Sequence, residues 1–203
     1  MSDSFKTIVR DARVETKVQG SRFIASAHHA ATKVESEKFI HSIKKEFFDA
    51  THNCYAYRLG TLGDQFRFND DGEPSGSAGK PILAAIDHKA LTDVVVVVTR
   101  YFGGTKLGVG GLARAYGRAA ELVLTKADQR TKFVLRTMVV TFPHEQIGNV
   151  MRALSLHEAK IVDTSYDEEI HLTVEIRVSK AEKFKAALIE LTSGNVALKS
   201  LPK

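Results

Sequence analysis

Residues 94–116 read VVVVVTRYFGGTKLGVGGLARAY. Five valines without polar alternation describe a strand buried on both faces, as the centre of a sheet requires. Behind them, five glycines fall within nine residues: Gly103, Gly104, Gly108, Gly110 and Gly111. Leu112, Ala115, Tyr116, Ala119, Leu122 and Val123 then recur at helical spacing. The stretch is a strand, a glycine loop and a helix. Glycine lets backbone amides approach a ligand closely, and a helix N-terminus adds N–H groups and a positive dipole end. No Asp or Glu occurs from Val94 to Ala120, whereas Arg100, Lys106, Arg114 and Arg118 are cations. The segment reads as a phosphate or polyanion site. The competing reading is a close-packed connection that binds nothing.

Known phosphate loops do not fit. A Walker A loop needs Lys and then Ser or Thr after its last glycine, but Val109 and Gly110 follow Gly108. Gly108-Val109-Gly110-Gly111-Leu112-Ala113 matches G-x-G-x-x-A, with Asp128 about twenty residues on. Yet that fingerprint needs its first glycine directly after the strand and its acid at the end of the next one. Neither holds, so no nicotinamide or flavin is expected, and no other cofactor or metal is assigned.

A chain of 203 residues with 43% hydrophobic and 26% charged residues is ordinary for a globular protein. Net charge is +5, and most of the excess precedes residue 131, where 19 Lys and Arg face 15 Asp and Glu. This permits nucleic-acid binding without establishing it. One cysteine excludes an internal disulfide. No signal-peptide core or membrane-length apolar run is present. A cytoplasmic protein with no membrane partner is expected.

Outward from the valine run, Ala12–Lys17 and Arg22–His28 read as extended segments. Thr32-x-x-Glu35 is a capping box, ahead of Phe39, Ile40, Ile43 and Phe47 at helical spacing. Thr51–Leu59 is strand-like, with Gln65–Phe68 as its pairing partner, and Pro81–His88 belongs to a helix. Beyond residue 130 the pattern changes. Phe133–Val140 reads as a strand, then Pro143 and a helix with Ile147, Val150, Met151 and Leu154 inward. Ala159–Tyr166 and Ile170–Val178 form a hairpin. Ser179-x-x-Glu182 caps a helix carrying Phe184, Ala187, Leu188 and Leu191, and Val196–Leu198 makes a last strand. The order βαββαβ is ferredoxin-like. An α+β protein with domains at 1–130 and 131–203 is expected.

Four segments in order resemble the IMPACT family. They are Ser21-Arg22-Phe23-Ile24, His52-Asn53-Cys54-Tyr55-Ala56-Tyr57-Arg58, Asp70 through Pro81 (DDGEPSGSAGKP), and Arg100-Tyr101-Phe102-Gly103-Gly104 continuing through Leu107-Gly108. The resemblance covers residues 5 to 127, and the tail resembles the ferredoxin-like domain of bacterial members. It implies an N-terminal domain similar to the second domain of ribosomal protein S5, and folds that contact RNA. Eukaryotic members carry an added N-terminal domain and regulate translation under amino-acid starvation through a partner protein. This chain begins at the shared domain, so that partner role is not carried over. The resemblance assigns no catalytic residue.

The expected function is binding of RNA or the ribosome, with modulation of translation. Arg100, Gly103, Gly104, Lys106, Gly108, Gly110, Gly111 and Arg114 are the candidate phosphate contacts, and His52, Arg58 and Lys80 support them. Tyr101 or Phe102, one of the two, is available to stack on a base. Two rivals stand beside this reading. One is a hydrolase acting on a phosphorylated or peptide substrate through Asp70, Asp71 and Glu73, or through a His52–Cys54 pair. The other is an adaptor for a protein partner.

Overall fold

The computed structural model describes residues 3–201 and separates into two compact units, one of residues 5–132 and one of residues 133–201 with residues 3 and 4. In the first unit a five-stranded antiparallel sheet contains β2 (Ala12–Val18), β3 (Ser21–His29), β4 (His52–Leu59), β5 (Gln65–Asn69) and β6 (Val94–Tyr101). Its order is β2-β3-β6-β4-β5, so the valine strand is the middle one. Parity divides its side chains. Val94, Val96 and Val98 enter the core under α2 (Gly79–His88) and α3 (Gly108–Lys126), whereas Val95 and Val97 enter the core under α1 (Lys33–Glu46). All five are fully buried, because successive strand residues point to opposite faces and both faces are covered. Two short strands that the sequence pattern does not reveal, β1 (Ser4–Ile8) and β7 (Gln129–Phe133), pair with each other. Each is short and mostly polar, so neither shows a decisive period.

Three helix starts are made differently. Thr32 and Glu35 cap α1 reciprocally, as the motif requires. At α2 the carboxylate of Asp70 accepts the amides of Gly76, Ala78 and Gly79 at 2.9, 3.0 and 2.8 Å. Burial opposes its ionisation, yet the three amides outweigh that and hold the Asp70 carboxyl below its ordinary range. At α3 the N-cap is Leu107, which offers no side-chain acceptor.

The second unit contains β8 (Leu135–Phe142), α4 (Ile147–His157), β9 (Lys160–Tyr166), β10 (Ile170–Arg177), α5 (Val178–Leu191) and β11 (Ala197–Ser200). Its antiparallel sheet runs β11-β8-β10-β9, a βαββαβ unit with its own core around Met138, Val150, Val174 and Phe184. The alternation in β10 holds over its whole length. Three expectations fail here. The first strand lies two residues later than 133–140. Ile147 and Met151 are about half exposed, because α4 buries only Val150, Ala153 and Leu154. Ser179 does not cap α5, which already starts at Val178. Its hydroxyl donates to the Asp3 carboxylate instead.

Candidate nucleic-acid interface

β6 ends at Tyr101, and the glycine loop carries the chain from there to α3. Gly103 lies against the turn between β2 and β3: a Cβ added to Gly103 would stand 1.9 Å from the Gly20 carbonyl carbon. That contact excludes any side chain. Gly104 faces open space, but its φ of +87° favours glycine, as does +69° at Gly108. Gly110 and Gly111 fall in the first turn of α3. The Nη1 atom of Arg114 lies 3.5 Å from the place a Gly110 Cβ would take, so that guanidinium folds back towards the helix start. Lys106 and Arg114 are exposed, as is Arg118 one turn further, and none makes an ion pair among the described residues. Glu121, three residues beyond Arg118, meets His88 at 3.2 Å.

Arg100 is placed otherwise. It is 5% exposed, its Nη1 donates to Glu73 Oε1 at 2.6 Å, and its Nη2 reaches Ser21 Oγ at 3.3 Å. The guanidinium carbon lies 5.6 and 5.5 Å from the ring centroids of Phe23 and Phe102. Glu73 Oε1 also accepts the Tyr116 hydroxyl at 2.8 Å. A buried carboxylate next to a buried guanidinium is neutralised and hydrogen-bonded, which is what its desolvation demands. Helical spacing places Tyr116 in the apolar stripe of α3 and gives no hint of this bond. A tyrosine at a fully buried position needs a partner for its hydroxyl, and that is the signal by which the bond could be anticipated.

His52 stands at the start of β4, half-buried. Its Nδ1 donates to the Asp71 carbonyl at 2.8 Å, and its Nε2 is 3.9 Å from Glu73 Oε1. Arg58 lies at the other end of β4, roughly 20 Å away at a strand's rise per residue. There it binds Asp87 at 2.6 Å and the Gly63 carbonyl. His52 and Arg58 therefore do not share a site. Lys80 is exposed in the first turn of α2. Of the two aromatics, Tyr101 is held by Asp49 and lies over Arg22, while Phe102 is 48% exposed.

Glu73, Pro74, Arg100, Phe102 and Lys106 to Val109, with Leu112, enclose a cavity of about 260 Å³ at the start of α3. The two glycine-containing loops thus meet at one place. Their acids are structurally committed. Asp70 caps α2, Asp71 binds the Asn53 amide at 2.7 Å and Lys44 at 2.6 Å, and Glu73 binds Arg100. The Cys54 thiol is buried and donates to the Asp70 carbonyl at 3.0 Å. Burial, with the nearby carboxylates, pushes its pKa up to about 12. A thiol so placed stays protonated at neutral pH and is a poor nucleophile.

Residues 19–124 match the Impact N-terminal domain, and residues 140–195 match a domain of unknown function, DUF1949. The chain belongs to the IMPACT family. It is 34% identical over 199 residues to IMPACT family member YvyE of Bacillus subtilis, covering 98% of this chain and 92% of that protein. IMPACT family member YigZ of Escherichia coli is 32% identical over 187 residues, with 91% and 92% covered. A solved crystal structure of a hypothetical protein superposes over the full length of both chains with a TM-score of 0.71 at 29% identity. The α+β arrangement is thus shared by a full-length structural neighbour. Among the described residues no helix is long and apolar enough to cross a membrane.

Proposed function

We propose that this IMPACT protein binds RNA or an RNA surface of the ribosome through the start of α3 and modulates translation. The observation that carries the reading is a set of exposed cations, Lys106, Arg114 and Arg118, beside uncapped helix amides in a segment without acids. A helix N-terminus and lysine or arginine side chains are common phosphate contacts. Unlike the start of α2, where Asp70 already occupies the amides, this one has no side-chain cap among the described residues. The resemblance to eukaryotic members that regulate translation supports the cellular role.

The test is co-sedimentation with ribosomes and total RNA across a salt series. Binding should fall steeply as salt rises. Lys106→Ala with Arg114→Ala should weaken it and reduce the log–log salt slope by about one unit for each phosphate that is no longer neutralised. Both side chains are exposed, so the fold is retained and circular dichroism should not change. Unchanged affinity and slope in the double variant would remove α3 as the contact surface.

A further inference from the structure

The cavity at the start of α3 has walls that a phosphate site does not need. Phe102, Leu107, Val109 and Leu112 make it largely apolar, and Glu73 brings a carboxylate to its polar side. An anion seated there would lose part of its hydration against those side chains and meet that carboxylate. One polar atom nevertheless has room for a ligand. Arg100 is 5% exposed and lines the cavity, but its Nη1 and Nη2 are committed to Glu73 and Ser21, and its Nε is itself sealed from solvent. Glu73 makes its contacts through Oε1, leaving Oε2 as an acceptor without a protein donor among the described residues. A ligand offering a donor on the edge of a flat, apolar body would answer that oxygen.

A nucleobase is such a body. The volume of about 260 Å³ lies below the range of drug-sized pockets and suits one ring system. Phe102 offers a half-exposed ring at the cavity, and Arg100 lies behind it. Bases of single-stranded RNA are recognised in this way, stacked on an aromatic side chain and hydrogen-bonded on their edges. Lys106 and the uncapped start of α3 border the same cavity, and both are suited to a phosphate.

We propose that the cavity seats one unstacked base of single-stranded RNA against Phe102, with the adjoining phosphate on Lys106 and the first turn of α3. The proposal rests on the RNA reading above and adds a requirement that a phosphate surface alone does not have. A base inside a duplex cannot enter, and a backbone without bases has nothing to insert.

Fluorescence anisotropy with the full chain separates these cases, using three labelled probes: a single-stranded 12-nucleotide RNA, its duplex, and an abasic 12-mer of equal charge. The single strand should bind about 10-fold more tightly than the abasic strand, in line with the usual strength of one base–aromatic stack. Phe102→Ala should abolish that preference while leaving abasic binding unchanged, and Phe102→Tyr should restore it. Equal affinity for single-stranded and abasic probes, or a preference that survives in Phe102→Ala, overturns the base pocket while leaving the RNA reading standing. Failure of all three probes to bind overturns both.

Discussion

Glu73 stands where three elements meet, since its one carboxylate oxygen takes Arg100 from β6 and Tyr116 from α3. Removing one partner of a buried ion pair leaves the other charged and unsolvated, which costs about 3–5 kcal/mol. Glu73→Ala should therefore lower stability by that order in urea unfolding. Adding Arg100→Met should recover a substantial part of it, because the stranded charge disappears. An additive double variant would show that the two side chains do not depend on each other. Cys54 makes a pH-dependent prediction. Its ordinary pKa of 9.0 is raised to about 12 by burial. Between those values the unfolded chain has released the proton and the folded chain has kept it. Stability from this group is complete below pH 9 and falls as pH rises towards 12. Comparison with Cys54→Ala across that window should show the wild type losing more stability with pH. At neutral pH, a mild thiol reagent should leave the native protein unlabelled.

At the scale of elements, the glycine loop combines two requirements that one motif hides. Gly103 is demanded by contact, since a Cβ would overlap the Gly20 backbone, and Gly104 by conformation alone. Gly103→Ala must push two backbone segments apart, and overpacking of this kind costs about 1–3 kcal/mol or more. Gly104→Ala meets nothing and bears only the strain of its positive φ, about 1–2 kcal/mol. Thermal melts should thus rank Gly103→Ala below Gly104→Ala, and the reverse order would assign the close approach to the wrong residue. The same contrast explains the helix starts. The acidic cluster DDGE, a hydrolase candidate in the sequence, is divided among a helix cap, a strand amide and a buried guanidinium. Carboxylates this close in sequence are sent to three different partners.

The second unit offers the test at the scale of the whole molecule. It has its own apolar core and a complete four-stranded sheet. A fragment of residues 133–203 should give dispersed amide resonances and a cooperative melt. Its stability should be modest, because about 70 residues bury a smaller fraction of their surface than a larger domain does. A collapsed amide spectrum would show that the fragment depends on the rest of the chain.

Local pattern makes much of this legible. The valine run announces a strand covered on both faces, the capping box announces α1, and the alternation in β10 announces a half-wet sheet. Four motif segments also carry the family, because ordered short motifs survive in sequence without any geometry. Pairing partners far apart in sequence are not legible. Arg100 reads as an anion contact because its neighbours lack acids, but its acid comes from residue 73, on a loop 27 positions earlier. His52 and Arg58 group together because they share a strand, whose length then separates them. Ile147 and Met151 read as core because helical spacing reports a face and not what covers it. By itself the sequence determined the periods, the cap of α1 and the family, since these depend on neighbours within a turn or a strand. Only the tertiary structure decided which charges are paired inside the fold and which remain outside, because burial and ion pairing depend on distance in space.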